Sequence, residues 1–288
     1  MKAPAFDYLR ATSLPQVFSL LQQHGDDARL LAGGQTLVAT LNMRLSEPAL
    51  LIDITALDAL RGLALLDTPA RHTLRIGALV THAEIEASPL VALHAPLLAQ
   101  AAPHIAHRAI RNLGTLGGSL AYADPAAEWP ACVRALDATL VLVSARGERR
   151  LAAADFFQGL YTTALQPDEL LAACEIPALV ADERQHFDEL ARRQGDYAIT
   201  GLAARALWRG GRLHEVRMAF LGLADRAVRA NRTEALLNGQ APTETVIEQA
   251  LQALRSELQP MGDIVNSADT KRHLATVLAR RALRRLTA

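Results

Sequence analysis

Residues 110–130 hold the residue types of a ligand-binding loop. Three glycines, Gly114, Gly117 and Gly118, lie within five positions of one another. Because glycine has no Cβ and adopts positive φ readily, backbone N–H groups in such a loop can approach a ligand closely and point at an anion. Thr115 and Ser119 add hydroxyl donors beside the glycines. The pattern predicts binding of phosphate or sugar oxygens.

Two carboxylates follow in the same segment. Asp124 precedes Pro125, which favours an extended or turn conformation at the acid, and Glu128 precedes Pro130 by two residues. Carboxylates placed in this way suit sugar hydroxyls or ring N–H groups. A tight turn between two buried elements is the alternative, and it is the better interpretation of any single Gly-Gly pair. The crowding of glycine, hydroxyl and acidic residues favours a ligand-binding loop for the whole segment.

A second loop of the same character lies upstream, at residues 29–37. An apolar run enters Gly33 and Gly34, Gln35 and Thr36 offer side-chain donors, and a helical pattern begins at Leu37. This order is typical of a strand-to-helix phosphate cradle. Neither Gly-x-Gly-x-x-Gly nor Gly-Lys-Ser/Thr is present, so a Rossmann or P-loop fold lacks its signature. Two such loops in one domain indicate a long ligand with a diphosphate.

Two small lobes are predicted to position these loops. In the first, Ser13 caps a helix that ends before Gly25, and strands at 28–32 and 50–54 flank a short helix at 37–41. In the second, a hairpin at 62–77 turns at Asp67 and Pro69, Thr81 and Glu84 form a capping box, and a helix at 129–136 precedes a strand at 138–143. The ligand is expected in the cleft between the lobes.

The pattern changes after residues 177–182, which are the best candidate for a linker. Strands at 200–208 and 213–223 surround a Gly210–Gly211 turn, and helices follow at 230–237, 243–258 and 268–286, the last capped by Ser267. Four arginines crowd the end of the last helix. We favour the interpretation that they complement the helix dipole, and a docking site for an acidic partner is the alternative.

Composition excludes several classes of function. The 288 residues are 50% hydrophobic and carry 30 basic and 30 acidic side chains, so nothing points to nucleic acid or a membrane surface. Cys132 and Cys174 are too few for a metal site or a disulfide framework and are predicted core thiols. The histidines follow no metal-binding pattern, and no nucleophile with its base can be assigned. No secretory signal or membrane span is expected, which predicts a cytoplasmic protein.

Taken together, six segments resemble the FAD-binding medium subunit of molybdenum hydroxylases, a family that includes the flavoproteins of carbon monoxide dehydrogenase and xanthine dehydrogenase. The segments are residues 32–37, 51–54, 76–78, 110–119, 123–126 and 155–157. The resemblance implies an α+β fold: a two-lobed FAD-binding domain of the PCMH type at 1–177, with lobes at about 1–57 and 58–177, and a smaller α+β C-terminal domain at 183–288.

The resemblance also implies the cofactor, FAD, and its contacts. Residues 32–36 would hold the pyrophosphate with backbone N–H groups, and Thr115, Gly118 and Ser119 would hold ribityl or phosphate oxygens. Asp124 and Glu128 would form hydrogen bonds with the ribityl chain or the ring system. A leucine near Leu171 or Leu170 would pack on the flavin, although a core role is equally consistent, and Tyr197 would border the flavin edge. The full set of expected binding residues is Ala32, Gly33, Gly34, Gln35, Thr36, Leu37, Asn112, Gly114, Thr115, Gly117, Gly118, Ser119, Tyr122, Asp124, Glu128, Leu171 and Tyr197.

Partners follow from the same resemblance. In the family, a large molybdopterin subunit oxidises the substrate and a small subunit with two [2Fe–2S] clusters passes electrons to FAD, from which they reach NAD, a quinone or oxygen. A dimer of heterotrimers is expected. A self-contained FAD oxidoreductase of the related two-lobed fold is the alternative, and a non-catalytic nucleotide-binding or assembly protein is a third. Enzymatic activity in the absence of partners would distinguish the first two possibilities. The colour of bound flavin would distinguish both of them from the third.

Overall fold

The computed structural model describes residues 2–67 and 71–288 and shows a first lobe built on a small parallel sheet. The strand order is β1-β3-β2, with both pairs parallel. Strand β1, which the sequence analysis did not predict, pairs with β3. The elements in chain order are β1 (Asp7–Arg10), α1 (Leu14–His24), β2 (Ala28–Leu31), α2 (Leu37–Asn42) and β3 (Leu50–Asp53).

Local signals in the first lobe are confirmed. The Ser13 hydroxyl accepts a hydrogen bond from the backbone N–H of Gln16 at 3.4 Å, and Pro15 occupies the first turn of α1. Gly25, at φ 51°, ends the helix in a conformation that favours glycine. Strand β3 is buried along its whole length, because it is the central strand of the sheet. Its apolar side chains share one core with α1 and with side chains of the second lobe.

The second lobe is a five-stranded antiparallel sheet covered by short helices. Its strand order is β4-β5-β10-β6-β7, so the last strand in sequence lies at the centre. The Thr81–Glu84 capping box is confirmed, and the predicted turn residue Pro69 lies outside the described residues. The elements are β4 (Leu63–Leu66), β5 (Thr73–Gly77), α3 (His82–Ala87), α4 (Pro89–His94), α5 (Pro96–Ala101), α6 (Arg108–Arg111), α7 (Leu116–Tyr122), α8 (Glu128–Ala135), β6 (Thr139–Ser144), β7 (Gly147–Ala152), α9 (Ala153–Phe156), β8 (Phe157–Gly159), β9 (Thr162–Thr163) and β10 (Leu170–Pro177).

The C-terminal part is a four-stranded antiparallel sheet with three helices. Strands run in the order β11-β12-β13-β14, and β12 and β13 meet at the predicted Gly210–Gly211 turn. One face of the sheet packs on α10, α11 and α12, while the other joins the core of the second lobe. The elements are β11 (Glu183–Ala191), β12 (Ala198–Arg209), β13 (Arg212–Leu221), β14 (Val228–Arg229), α10 (Asn231–Leu237), α11 (Glu244–Glu257) and α12 (Ala268–Thr287).

Two arginines near the end of α12 make tertiary ion pairs. Arg280 pairs with Glu244 at 2.8 Å and also with Glu248, both on α11, and Arg281 lies 3.3 Å from Asp188 of β11. Arg280 and Arg281 lie before the last turn of α12, where the dipole effect is weak, and their guanidinium groups tie the helix to its neighbours; Arg284 and Arg285 lie in the last turn, as the dipole interpretation requires. Among the described residues, no helix is long and apolar enough to span a membrane.

Asp137 joins the second lobe to the C-terminal sheet. Its Oδ2 accepts hydrogen bonds from Arg205 at 2.7 Å and Arg217 at 2.9 Å, and its Oδ1 accepts one from Arg229 at 3.1 Å. Burial alone would raise the pKa of Asp137, but the hydrogen bond from Arg205 and the charges of the arginines outweigh it and lower the pKa. Arg205 has a side chain only 6% exposed and also donates to the carbonyl of Ala135.

We expect Asp137→Ala to lower the free energy of unfolding by about 2 kcal/mol, because buried Arg205 loses its main counter-charge. The cost should fall below the roughly 3–5 kcal/mol of a fully buried pair, since Asp137 is partly solvated. Urea denaturation measures the change. The matched control is Asp182→Ala, whose ion pair with Arg209 is exposed on both sides and should contribute about 0–1 kcal/mol. Equal losses in the two variants would contradict a special role for Asp137.

Candidate functional site

The first glycine loop presents a row of free backbone donors. It links β2 to α2, and within the described residues the N–H groups of Gly33, Gly34, Gln35 and Thr36 donate to no protein acceptor. Gly34 sits at φ 71°, and the Gln35 side-chain amide donates to the Gly33 carbonyl at 2.9 Å, which holds the loop in shape. Consecutive unpaired N–H groups beside a helix N-terminus form an anion site. The loop has the donor set that a diphosphate needs.

The second glycine loop uses its backbone donors internally. Leu116 donates to the Val80 carbonyl and Gly117 to the Ala78 carbonyl, each at 2.9 Å, while the Gly118 N–H donates to the Thr115 hydroxyl at 3.1 Å. The expectation that N–H groups of Gly114, Gly117 and Gly118 point at an anion was therefore wrong. None of these three glycines has a positive φ. What the loop still offers a ligand is the hydroxyl groups of Thr115 and Ser119.

Glycine is required in the second loop for steric reasons. A Cβ on Gly117 would overlap Ala78, coming within 2.7 Å of its Cα atom. A Cβ on Gly114 would lie 2.8 Å from Nε2 of His82. Real Cβ atoms do not approach other atoms this closely, so each glycine permits α7 and its preceding turn to pack on the strand-to-helix connection after β5.

The two loops touch each other across the lobes. A Cβ on Gly33 would overlap the carbonyl oxygen of Leu113 and lie 2.9 Å from the Cα of Gly114. A Cβ on Gly118 would lie 3.9 Å from the Cβ of Ala32. The free donors of the first loop and the hydroxyls of the second therefore lie close together where the two lobes meet, which is where the sequence analysis expected the ligand.

Acidic and phenolic side chains form one end of this site. Asp124 Oδ1 accepts a hydrogen bond from the Ala126 N–H at 2.9 Å, and the rings of Tyr122 and Tyr161 stack at a tilt with centroids 5.0 Å apart. Partial burial raises the pKa values of Tyr122 and Tyr161, and the charge of Asp124 raises them further. Glu128 follows Asp124 in the sequence and begins α8.

Tyr161 is the member of this group that sequence reasoning missed. It lies between β8 and β9 at φ 51°, a conformation unusual for a bulky residue. The surrounding sequence, with no glycine repeat or acidic partner beside it, gave no signal of a binding role. Tyr197, which was predicted, is 71% exposed in the connection between β11 and β12. Both phenols are thus free to contact a bound ring.

The structure gives less support to a binding role for three expected site residues. Leu171 is 5% exposed, lies opposite Leu142 in the sheet and belongs to the core of the second lobe, which favours the core interpretation. Asn112 is exposed at the end of α6, one residue before the carbonyl that meets Gly33. Leu37 is half-buried as the first residue of α2.

His82 and Trp129 are hydrogen-bonded to each other, and His82 also supports the second glycine loop. The His82 Nδ1 accepts a hydrogen bond from the Trp129 Nε1–H at 2.9 Å, and its backbone N–H donates to the Gly114 carbonyl at 2.9 Å. Burial lowers the pKa of His82 to about 4, and the charge of Arg111 lowers it further. The imidazole is therefore neutral at pH 7 and acts as an acceptor. Neither residue was predicted to matter to the site.

The metal-binding and thiol groups of the chain were expected to play no part in the site. Within the described part of the chain, no group of three histidine, cysteine, aspartate or glutamate side chains could hold a metal ion. Cys132 and Cys174 are buried free thiols, as predicted, and burial raises the pKa of each. The arrangement can hold a long ligand by backbone donors, hydroxyls, carboxyls and phenol rings.

Two family models cover nearly the whole chain. The FAD binding domain in molybdopterin dehydrogenase matches residues 4–179, and the CO dehydrogenase flavoprotein C-terminal domain matches residues 185–286. Together the two matches include the expected FAD-binding residues. Residues 4–179 contain both glycine loops, and residues 185–286 contain Tyr197.

Individual relatives align over almost their full lengths. The chain is 38% identical to the nicotine 6-hydroxylase medium subunit of Paenarthrobacter nicotinovorans, with 98% of each chain covered. A structure of carbon monoxide dehydrogenase from Hydrogenophaga pseudoflava includes a chain that is 35% identical with a TM-score of 0.95, covering 99% of this chain and 98% of that one. Quinoline 2-oxidoreductase from Pseudomonas putida 86 gives 37% identity and a TM-score of 0.92, with coverage of 99% and 98%.

We expect Gly118→Ala to lose most of its FAD while remaining folded. The added methyl group would lie 3.0 Å from the Thr115 hydroxyl oxygen, which must shift slightly, and 3.9 Å from the Cβ of Ala32. The gain of up to about 1 kcal/mol from alanine in a helix should offset that shift, so the fold is expected to survive. Gly33→Ala is the contrasting variant. It must displace the Leu113 carbonyl, so it should lose FAD and about 1–3 kcal/mol of stability together. Flavin absorbance per folded chain and thermal melting separate the two effects; full FAD content in Gly118→Ala would show that no ligand approaches that glycine.

Acid should destabilise the protein through His82. The pKa of this histidine falls to about 4 on folding, so between pH 6.5 and 4 the unfolded state binds a proton that the native state excludes. The free energy of unfolding should therefore drop by about 3 kcal/mol across that range. His82→Gln keeps an acceptor for Trp129 but cannot titrate. Urea denaturation at several pH values should show a shallower acid slope for this variant, and identical slopes would refute the assignment.

Proposed function

The chain belongs to the family of FAD-binding medium subunits of molybdenum hydroxylases, and from this premise we propose that it carries electrons between an iron–sulfur partner and an external acceptor. The observation that supports this most directly is the row of four unpartnered N–H groups in residues 33–36, set against a second loop that offers hydroxyls. This donor set fits a dinucleotide cofactor with a pyrophosphate, and it supplies no group of its own that could oxidise a substrate.

The residues divide naturally along the length of FAD. We propose that the backbone of residues 32–36 binds the pyrophosphate and that Thr115 and Ser119 donate to ribityl or phosphate oxygens. Asp124 and Glu128 would form hydrogen bonds with the ribityl chain or the ring. Tyr122 and Tyr197 would border the isoalloxazine. The remaining proposed members, which shape the cleft through their backbone or their lack of a side chain, are Leu37, Asn112, Gly114, Gly117 and Gly118.

Bound FAD would supply the redox chemistry, since its ring can exchange electrons with donors of different kinds. The chain's own residues bind the cofactor, fix the orientation of the ring and exclude water from one side of it. Backbone donors do this with little loss of freedom, because the loop is already held by the Gln35 hydrogen bond and by contact with Leu113. No residue of the chain is assigned a catalytic role.

The partners we propose are a small subunit with [2Fe–2S] clusters and a large molybdopterin subunit, assembled as a dimer of heterotrimers. The relative in nicotine hydroxylation is named a medium subunit, and the carbon monoxide dehydrogenase structure is described as lacking the Mo-pyranopterin moiety of its molybdenum cofactor, which implies that the complete enzyme carries one. Similar identities connect this chain to proteins named for nicotine, carbon monoxide and quinoline. The flavoprotein sequence therefore does not select the substrate, which the large subunit would bind.

We also propose that the FAD-binding domain spans residues 1–177, with lobes at about 1–57 and 58–177, and that the C-terminal domain spans 183–288. The family models support this division, because one ends at residue 179 and the other begins at 185. The electron acceptor would be a small molecule, NAD, a quinone or oxygen, that reaches the flavin edge near the exposed ring of Tyr197.

The purified chain should bind one non-covalent FAD and oxidise no aldehyde, purine or carbon monoxide in the presence of a dye acceptor. A flavin held by backbone donors has no route to such substrates unless another subunit oxidises them. Activity should appear when the chain is mixed with its co-purified iron–sulfur and molybdenum subunits. In that mixture, the visible absorbance of the flavin should decrease when substrate is added.

The matched control is the same mixture with FAD-depleted Gly118→Ala, in which electrons should not reach the physiological acceptor. Failure of acid or heat to release FAD from the folded parent protein would contradict cofactor binding. Turnover of a small organic substrate by the single chain would instead identify a self-contained oxidoreductase.

A further inference from the structure

A surface cavity of about 460 Å³ lies on the C-terminal sheet and shares no residue with the proposed cofactor site. Small-ligand pockets typically have volumes of roughly 300–1,000 Å³, so the space is large enough for a metabolite. The cavity is lined by side chains of β12, β13 and the residue that follows α10, which are Leu207, Arg209, His214, Glu215, Arg217 and Asn238. Arginine, histidine and asparagine outnumber the single acid, and this composition favours an anion.

A β-bulge in β13 shapes one wall of the cavity. At the bulge, Glu215 and Val216 together face the single residue Ala206 of β12. Glu215 sits at φ 47°, in the left-handed region that non-glycine residues seldom adopt. The bulge is held in place because the Val216 N–H donates to Oδ1 of Asn238 at 3.0 Å. Bulges and strained residues of this kind are concentrated at functional sites, where they redirect a side chain.

Arg205 lies beneath the cavity with a donor that has no acceptor. Its neighbours on this face of the sheet, Leu207 along β12 and Arg217 opposite it on β13, both line the cavity. The Arg205 side chain is only 6% exposed, and its buried Nη1 has no hydrogen-bond partner within the described residues. The Glu215 carboxylate lies 3.6 Å from Nη1, beyond hydrogen-bond distance. A buried charged donor without an acceptor is costly, so an acceptor is missing at this position.

The walls of the cavity carry further donors that the protein does not use. Arg217 donates through Nε to Asp137 and through Nη1 to a backbone carbonyl, while Arg209 donates through Nε to Asp182. Among residues 2–67 and 71–288, no acceptor binds Nη2 of Arg217, either terminal nitrogen of Arg209 or Nδ2 of Asn238. Guanidinium and amide N–H groups suit phosphate oxygens well. The unused donors therefore line a space that lacks only their acceptor.

We propose that this cavity binds the phosphate group of a small metabolite. One phosphate oxygen would accept from the buried Nη1 of Arg205, and the others would accept from Arg209, Arg217 and Asn238. A tetrahedral phosphate suits donors that come from the floor and from separate walls, whereas the two oxygens of a carboxylate lie in one plane. The Glu215 side chain is 56% exposed, so it can turn towards solvent and leave Nη1 to the ligand. This site does not rest on the proposed binding of FAD.

A bound phosphate would also act on the contact between the second lobe and the C-terminal sheet. Arg205 and Arg217 donate to Asp137 of the second lobe at 2.7 and 2.9 Å. The ligand would give these two arginines a second counter-charge. Because it would bind the folded chain and not the unfolded one, it should raise the melting temperature.

The test measures binding of radiolabelled inorganic phosphate to the FAD-saturated chain by equilibrium dialysis. Ionic strength is held at about 0.15 M so that the screening of exposed charges stays constant. FAD fills the first glycine loop, whose backbone donors would otherwise take up phosphate as well. We expect saturable binding of one phosphate per chain.

Three variants assign that phosphate to the cavity. Asn238→Asp keeps the Oδ1 acceptor for Val216 but loses the amide donor and adds a negative charge. Arg209→Gln loses a charged donor whose ion pair with Asp182 is exposed. Each should weaken phosphate binding roughly tenfold, the effect of losing one charge-assisted hydrogen bond. Glu215→Gln removes the acid beside Nη1 and should tighten binding about fivefold.

Arg255→Gln is the matched control. It makes the same change of charge as Arg209→Gln at an exposed position of α11 outside the cavity, so it should keep the parent affinity. The absence of saturable binding, or equal affinities in the parent, Asn238→Asp and Arg209→Gln, would overturn the proposal. These variants leave the first glycine loop unchanged. If the chain bound no FAD, the proposed function would fail, but the loss of one phosphate in the variants would still establish the cavity as a site.

Discussion

The close approach of the two glycine loops is the contact on which the rest of the site depends. Gly33 of the first lobe has no room for a Cβ, because the Leu113 carbonyl of the second lobe occupies that space. The lobes thus meet at backbone distance, and the free N–H groups of the first loop come to lie beside the hydroxyls of the second. A larger residue at this point would separate the two halves of the cleft. The cofactor would then contact one wall only.

The sequence was sufficient to find both loops but not to say how each is used. Glycine next to hydroxyl and acidic residues marked the segments, and the resemblance to a known flavoprotein family supplied the cofactor. Flexibility was the wrong physical reason for Gly114 and Gly117, whose role is to let helix α7 pack on Ala78 and His82. A sequence shows that a Cβ is absent, whereas only the fold shows which atom stands in its place.

Long-range interactions were the part that could not be predicted. Asp137 is an ordinary turn residue in the sequence, and the arginines that surround it lie 68, 80 and 92 residues away. Tyr161 joins the site because the β8–β9 turn folds over Tyr122, and no local pattern records that contact. Strand β1 is short, mostly exposed and defined by its partner β3, so its residues gave no alternation to recognise.

Asp137 shows how a chain of zero net charge can still concentrate charge at one interface. It lies in the turn after α8 and pairs with Arg205, Arg217 and Arg229 of the C-terminal sheet. The hydrogen bond from Arg205 and the charges of the arginines outweigh burial and lower the pKa of Asp137, so the cluster stays paired over most of the pH range. The second lobe and the C-terminal sheet are therefore joined by a charged contact beyond the end of α8 as well as by the apolar core that they share.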